Sequence, residues 1–256
     1  MAVVEICLSG IESALAAQAG GADRIELCEN LAQGGTTPSL GLIKAVRNRL
    51  QIGVQVMIRP RGGDFCYTEA EFEVMRQDVQ LAKEVGVDGI VFGILHPDGT
   101  IDKTRCRELI ALGRPLSITF HRAFDLTPAP FAALSDLLAL GVDRLLTSGQ
   151  AETAVAGKTL IRQLQARAGE QITIMAGSGI SAENVAALLA ETAVPEIHAG
   201  SSCTETIPGN MHVHSPGFSL GTAKNEPEFA RQQVTARRVR ELVLKARQPY
   251  APGSTS

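Results

Sequence analysis

Short apolar runs recur along the chain, and segments with the spacing of amphipathic helices separate them. The runs are rich in Val, Ile and Leu, which is typical of parallel strands that are buried on both faces. Eight such runs are recognised, and they cover residues 3–8, 24–28, 54–58, 89–94, 116–120, 144–147, 172–176 and 196–199. The pattern therefore predicts an α/β fold with eight β-strands.

Three of the predicted helices end with the same short motif. Each motif has a glycine where a left-handed helix cap is expected and an aspartate two residues later. The three motifs are Gly21-Ala-Asp23, Gly86-Val-Asp88 and Gly141-Val-Asp143, and they precede the second, fourth and sixth predicted strands. This repetition, with eight βα units in about 250 residues, favours a single (β/α)8 TIM barrel. The alternative, an open doubly wound sheet, usually has fewer strands at this length.

The regular alternation stops after the predicted eighth strand. Residues 200–222 are rich in Gly, Ser, Pro and Thr and predict a long loop. A final helix is expected over residues 226–247. We therefore expect one barrel domain, residues 1–247, followed by a flexible tail, residues 248–256.

The composition narrows the classes of partner. The chain has 24 Lys and Arg against 27 Asp and Glu, a formal net charge of −3, so neither nucleic acid nor an anionic membrane surface is expected as a partner. No segment has the roughly 20 apolar residues of a membrane span, and the first residues lack the basic start of a secretory signal. The five cysteines are scattered, which indicates free thiols in a reducing cytoplasm.

Polar residues are predicted to point into the barrel. Because side chains alternate along a strand, outward-facing Val4, Ile6 and Leu8 turn Glu5 and Cys7 inward. The same alternation turns Glu26 and Cys28 inward from the next strand. Two buried carboxylates are costly without partners, so we expect them to be paired with Arg59 or another cation, or to serve a function.

Further polar residues follow the third, fifth, sixth and seventh strands, where the active sites of TIM barrels lie. Guanidinium groups suit carboxylate or phosphate. The turn at Gly177 and Gly179 suits phosphate, and we expect Ser181 to cap the helix that follows it. The candidate residues for binding an anion or substrate are Arg59, Arg61, Asp64, Arg122, Ser148, Gly177, Gly179 and His198. The candidate general acids or bases are Glu5, Glu26, His121 and Asp125.

Cys7 and Cys28 have two interpretations. Two thiolates suit a soft metal such as Cu(I) or zinc. Buried cysteines also serve as small apolar core residues, and residues from adjacent barrel strands belong to different layers, so their sulfurs need not meet. Met211, His212 and His214 in the long loop are further ligand candidates, although exposed histidines of this kind are more often incidental.

With these residues in view, the chain resembles the CutC copper-homeostasis family over roughly residues 3–200. The resemblance is carried by motifs in chain order: Val4-Glu-Ile-Cys7, Gly21-Ala-Asp-Arg-Ile-Glu-Leu-Cys28, Gly34-Gly-Thr-Thr-Pro-Ser39, Ile58-Arg-Pro-Arg-Gly-Gly-Asp-Phe65, Thr119-Phe-His-Arg-Ala-Phe-Asp125, Leu146-Thr-Ser-Gly149 and Met175-Ala-Gly177. It implies a cytoplasmic TIM barrel that associates as a homo-oligomer, for which we favour a dimer. It also implies that Cys7 and Cys28 occupy the positions of the family's copper ligands.

Two functions from different classes follow. The first is a cytoplasmic copper-homeostasis protein that binds Cu(I) through Cys7 and Cys28. The second is a TIM-barrel enzyme acting on a small phosphorylated or carboxylated metabolite, with the anion held by Arg59, Arg61 and the Gly177–Gly179 turn. The resemblance favours the first, whereas the charged residues after the strands motivate the second, so whether the protein is an enzyme stays open at this point.

Overall fold

The structure is a computed structural model that describes residues 1–209 and 229–248. Met211, His212 and His214, which the sequence offers as extra metal ligands, lie outside the described residues. Of the predicted tail, only Gln248 is described.

Eight parallel strands close into a barrel in chain order, with the first strand paired to both the second and the eighth. The strands are β1 (Val3–Leu8), β2 (Arg24–Leu27), β3 (Gly53–Met57), β4 (Gly89–Phe92), β5 (Ser117–Phe120), β6 (Arg144–Thr147), β7 (Thr173–Gly177) and β8 (Glu196–Ala199). The predicted TIM barrel is confirmed, and each strand lies within two residues of its predicted bounds. Closure excludes the open doubly wound sheet.

Helices connect successive strands, as parallel pairing requires. In the described residues they are α1 (Ile11–Gly20), α2 (Leu40–Arg47), α3 (Glu69–Val85), α4 (Lys103–Gly113), α5 (Pro130–Leu140), α6 (Lys158–Ala168), α7 (Val185–Thr192) and α8 (Ala236–Arg247). The main apolar core lies between the strands and these helices, and Val4, Ile6 and Leu8 belong to it. The predicted alternation along β1 is therefore confirmed.

The region after β8 differs from the prediction. Residues predicted as loop form β9 (Thr204–Ile207), which pairs antiparallel with β10 (Arg231–Val234). The predicted start of the last helix at residue 226 is wrong, because α8 begins at Ala236. Its buried residues are Val239, Leu242, Val243 and Ala246, so the apolar stripe that drives helix packing starts only after β10.

The repeated Gly-x-Asp motif has a common structural role at the amino-terminal end of the barrel. Each glycine is a left-handed helix cap. Each aspartate accepts a hydrogen bond from a backbone N–H of the preceding strand and pairs with an arginine from a helix or its C-terminal cap, and we call this arrangement an aspartate cap. The three caps are Asp23 with Val4 and Arg247, Asp88 with Val54 and Arg47, and Asp143 with Ile118 and Arg114.

Candidate metal centre

Two thiols meet inside the barrel. Cys7 lies near the carboxyl end of β1, and Cys28 follows β2 directly. Their Sγ atoms are 3.9 Å apart. Cys28 is fully buried and shares a small interior cluster with Met57 and Val91, while Cys7 is partly buried beside it. The two sulfurs therefore meet, although residues on adjacent strands of a barrel can belong to different layers.

His198 and Glu26 complete a cluster around Cys7. Each of these three residues offers a potential ligand atom, and the three atoms lie within 4.8 Å of one another. Glu26 Oε2 is 3.8 Å from His198 Nε2 and 3.4 Å from Cys28 Sγ. Cysteine, histidine and carboxylate are the common protein ligands of transition metals. The structure therefore brings together the two predicted metal ligands, the predicted acid or base Glu26, and His198, which the sequence analysis assigned to anion binding.

Glu5 fixes the orientation of His198. The Nδ1 atom of His198 is 2.7 Å from Glu5 Oε1, so the Nδ1–H donates to the carboxylate and Nε2 is turned toward Glu26. A carboxylate behind a histidine is the usual second partner of a metal-binding imidazole, since it sets the ring orientation and its basicity.

The charges in the cluster are strongly perturbed. The hydrogen bond from Cys28 lowers the pKa of Cys7 well below its usual value, against the effect of burial and with the help of His198. Burial, and then the negative charge of Cys7, raise the pKa of Glu26 well above its usual value. Burial lowers the pKa of His198, but Glu26, Cys7 and Glu5 together raise it. The arrangement thus favours a thiolate at Cys7 beside a protonated imidazole.

Below the thiols, the barrel interior holds a buried ionic network. The Nε of Arg24 donates to Glu5 Oε2 at 2.5 Å, and Arg24 also contacts Glu196. Glu196 is in turn bound by Arg144, whose Nε is 2.5 Å from Oε2. Although burial raises the pKa of Glu5, Arg24 and His198 lower it to about 2. Glu5 therefore has the cationic partner that the sequence analysis required.

The cation that pairs with Glu5 is Arg24, and not Arg59, the one cation that the sequence analysis named for this role. Arg24, Arg144 and Glu196 were missed as interior residues, although a signal was present. Arg24 is two residues before Glu26, and Glu196 two before His198, so both have the same inward parity.

Arg59 is buried at the mouth of the barrel and holds two loops together. Its Nη1 donates to the carbonyl oxygens of Gln33 and Gly35 at 2.8 and 2.7 Å, and its Nη2 donates to that of Gly63 at 2.8 Å. Gly35, at φ +87°, lies so close above the thiols that a Cβ there would be 3.2 Å from Cys28 Sγ. Arg59 therefore closes the loop that covers Cys28.

Arg61, the second arginine predicted to bind an anion, points toward α3 rather than toward the thiols. Arg61 donates to Glu71 Oε1 at 2.6 Å and to Asp64 Oδ1 at 3.0 Å. Asp64 Oδ1 also accepts the backbone N–H of Cys66. Arg61 and Asp64 thus connect the loop to α3, and the structure does not bring them to the thiols.

Asp125 connects the turn after β5 to the loop after β6. Its carboxylate accepts hydrogen bonds from the hydroxyls of Thr147 and Ser148, from the backbone N–H of Ser148 and from the Nε of Arg122. Arg122 also donates to Ser148 Oγ at 2.9 Å. The predicted site residues Arg122, Asp125 and Ser148 therefore form one hydrogen-bonded group that is separate from the thiol cluster.

The two glycines after β7 are closely packed. A Cβ on Gly177 would be 2.5 Å from Leu146 Cδ1, and one on Gly179, at φ +69°, would be 2.9 Å from Thr153 Cγ2. The helix expected to start at Ser181 does not, since α7 begins only at Val185. Ser181 instead donates its backbone N–H to Asn184 Oδ1.

His121 lies over the mouth and is neutral. Burial, and then the charge of Arg59, lower the pKa of His121 from 6.5 to about 3. The centroid of its ring is 4.8 Å from that of Phe65, the two planes being tilted by 54°. The ring also lies against Gly93, where a Cβ would be 2.5 Å from the imidazole. No contact links His121 to Cys7 or Cys28 within the described residues.

The fold and the cluster define a class of protein: a TIM barrel whose interior holds two adjacent thiols, a histidine and acidic residues. The model of the CutC family matches residues 2–203, and the chain belongs to that family. It is 45% identical over 240 residues to the human copper homeostasis protein cutC homolog, which covers 94% of this chain and 87% of that protein. A CutC protein of Chromobacterium violaceum is also 45% identical over 240 residues, covering 94% and 96% of the two chains.

Solved structures agree on the architecture. A crystal structure of CutC from Streptococcus agalactiae superposes with a TM-score of 0.75 at 36% identity and covers 78% of this chain and 98% of that one. Phosphoribosyl anthranilate isomerase from Thermotoga maritima superposes with a TM-score of 0.58 over 96% of this chain and 98% of that one, at 13% identity, and shares the barrel fold. Within residues 1–209 and 229–248, none of the helices is long and apolar enough to span a bilayer.

Proposed function

We propose that this protein acts in copper homeostasis by binding Cu(I) between the sulfurs of Cys7 and Cys28. The observation that carries the proposal is the 3.9 Å separation of the two Sγ atoms inside the barrel. A bond between a thiolate and zinc is about 2.3 Å long, so this separation lies within the span of two metal–sulfur bonds of that size. Thiolate and thioether ligands select Cu(I).

Further donors are in reach of the same site. The Met57 side chain packs beside Cys28, and the His198 ring lies beside Cys7 and Glu26. Glu26 Oε1 is buried and has no hydrogen-bond partner in the described part of the chain. In this proposal Cys7 and Cys28 are the principal ligands, Met57 or His198 completes the coordination, and Glu5 positions His198.

The two thiols have different roles in loading. Cys7 is partly exposed, whereas Cys28 is fully buried. The low pKa of Cys7 keeps a thiolate at the more accessible position, and thiolates are the form of cysteine that binds metals. We therefore infer that Cu(I) reaches Cys7 first and is then shared with Cys28.

Anaerobic titration with a competing Cu(I) chelator tests the proposal. We expect one Cu(I) per chain, with affinity lowered by about tenfold or more in Cys7→Ser and in Cys28→Ser, since each removes one thiolate ligand. Cys106→Ser is the matched control, because Cys106 is a buried cysteine of α4 in the outer core. Unchanged affinity in the Cys7→Ser/Cys28→Ser double variant would refute the proposal.

We also propose a reducing, cytoplasmic location and a homo-oligomeric state, with a dimer favoured. All five cysteines carry free thiols, as in proteins of reducing compartments. Sedimentation velocity of the purified protein measures the oligomeric state, and a single monomeric species would contradict that part of the proposal.

The enzyme hypothesis receives less support in its original form. Arg59 and Arg61 were to clamp an anion, but their guanidinium groups are bonded to protein carbonyl and carboxylate oxygens. The two thiols, by contrast, face each other. The geometry therefore favours copper over a phosphorylated or carboxylated metabolite clamped between Arg59 and Arg61.

A further inference from the structure

Buried donors at the mouth of the barrel are left without partners. Arg59 is 4% exposed and His121 is 4% exposed. Arg59 Nε and His121 Nε2 have no hydrogen-bond partner among the residues that the structure describes. A buried donor without a partner is destabilising, so two such donors together are unusual in a native protein and call for an explanation.

The tautomer of His121 makes it a hydrogen-bond donor. Its Nδ1 accepts the backbone N–H of Ala123 at 3.2 Å, so the proton of the neutral ring is on Nε2. Burial and Arg59 keep the pKa of His121 at about 3, and the ring stays neutral at physiological pH. In triosephosphate isomerase, another TIM barrel, a neutral imidazole of this kind polarises a carbonyl oxygen of the substrate.

Phe65 covers both donors. The centroid of its ring is 5.0 Å from Arg59 Cζ and 4.8 Å from the centroid of the His121 ring. Phe65 is partly exposed and follows Gly62 and Gly63, and glycines allow the chain to change direction easily. An aromatic ring is only a weak acceptor for these donors, so an oxygen ligand that displaces it gains full hydrogen bonds.

A third buried polar group lies next to Arg59. Tyr67 is 6% exposed, and its hydroxyl has no hydrogen-bond partner in residues 1–209 and 229–248. Burial raises the pKa of Tyr67 to about 12, and the charge of Arg59 opposes that rise; the same charge acts on His121. With its two Nη atoms bonded to backbone carbonyls, Arg59 keeps only its Nε free of a partner among the described residues, beside the unpartnered His121 Nε2 and Tyr67 hydroxyl.

We propose that the barrel mouth is a binding site for the carboxylate of a small organic acid, which displaces Phe65 and accepts hydrogen bonds from His121 Nε2 and Arg59 Nε. A planar carboxylate has two acceptor oxygens and a negative charge that matches Arg59. The carboxylate that acts on His121, Asp125, is already bonded to Arg122, Thr147 and Ser148 and does not compete for the site. The site lies at the carboxyl end of the strands, where TIM barrels bind their substrates.

Titration of protein labelled with ¹⁵N-histidine tests this inference, with sodium acetate, pyruvate and succinate as probes at constant ionic strength. We expect at least one of them to give a saturable shift of the His121 Nε2 resonance. Calorimetry with that probe should show affinity lowered by about tenfold or more in His121→Phe, because a charge-assisted hydrogen bond is lost. His96→Phe is the control, since His96 is an exposed histidine and its replacement should leave affinity unchanged.

A second variant acts in the opposite direction. Phe65→Ala removes the ring that the ligand must displace while keeping both donors, so the carboxylate should bind several-fold more tightly. Absence of a saturable shift with all three probes, or equal affinity in the wild type and His121→Phe, would overturn the inference, as would saturable binding of inorganic phosphate alone. The Cys7→Ser/Cys28→Ser variant should still bind the carboxylate, so this site and the copper site are tested separately.

Discussion

The surroundings of each titratable residue inside this barrel set its charge state. Glu5 is held as a carboxylate by Arg24, whereas Glu26, two strand positions from the same arginine, is driven toward its neutral form by burial and by Cys7. His198 gains a proton in the same cluster, and His121 at the mouth loses one. Neighbouring groups with opposite shifts are typical of sites that bind or transform a ligand.

The neutrality of His121 predicts how stability depends on pH. Its pKa is 6.5 when unperturbed and about 3 in the folded protein, so below pH 6.5 the unfolded chain binds a proton that the folded chain does not. The free energy of unfolding therefore falls as pH decreases from 6.5 toward 3. Each pH unit is worth about 1.4 kcal/mol, so the contribution at pH 4 is about 3 kcal/mol.

Urea denaturation of the wild type and of His121→Phe at pH 7.5 and pH 4 measures this contribution. The advantage of the wild type over the variant should shrink by about 3 kcal/mol between the two pH values. His96→Phe, at an exposed position, should follow the wild type. If the difference in the free energy of unfolding between the wild type and His121→Phe is the same at both pH values, the fold does not lower the pKa of His121.

At the scale of secondary-structure elements, the aspartate caps join each capped strand to the next unit. Asp143 accepts the backbone N–H of Ile118 at 2.7 Å and binds Arg114 at 2.6 Å, and its own N–H donates to the carbonyl of Ile118. The ion pairs themselves are substantially exposed and contribute little. The bond to the strand N–H accounts for most of the effect, since that N–H would otherwise be unsatisfied.

Replacing one cap tests its contribution. Asp143→Ala should lower the free energy of unfolding by about 1–3 kcal/mol, because the N–H of Ile118 loses its acceptor. Asp143→Asn should retain part of that stability, since its amide oxygen still accepts. Asp136→Ala is the matched control: Asp136 pairs with Lys103 at the surface, so its loss should cost less than about 1 kcal/mol. Equal losses in the two alanine variants would contradict this role.

Most of the strands and helices were predictable from the sequence, and the incorrect predictions have physical causes. Buried parallel strands require unbroken apolar runs, so β1 to β8 were visible. Residues 231–234 have no such requirement, because β10 is a mostly polar strand that pairs with β9 outside the barrel. The site was predictable by parity at Cys7 and Glu26, but the partners of Arg59 and Arg61 were not, since they are loop carbonyls and carboxylates that only the tertiary fold brings near.

At the scale of the whole molecule, α8 completes the layer of helices around the barrel by packing on α1. Gly20 of α1 meets Val239 so closely that a Cβ on the glycine would be 2.5 Å from the valine Cβ. Four side chains of α8 are buried, and Arg247 provides the partner for the first aspartate cap. The matching region of the CutC family model ends at residue 203, so this closing segment lies beyond it.

Deletion of residues 231–256 should destabilise the entire barrel. Each buried aliphatic side chain is worth about 1.5–3 kcal/mol, so the midpoint of thermal unfolding should fall by more than about 10 °C. Deletion of residues 249–256 alone is the control and should leave the midpoint unchanged. Differential scanning calorimetry compares the two, and an equal midpoint for both deletions would show that α8 is not needed for closure.

The aspartate caps also have a consequence for where the chain can begin. The cap at Asp23 uses Arg247, so the link between the last helix and the first strands has the same form as the links inside the chain. The ring of caps is therefore indifferent to the position of the termini. A circular permutant that joins residue 256 to residue 1 and opens in the exposed turn at residues 96–98 should therefore keep every cap intact.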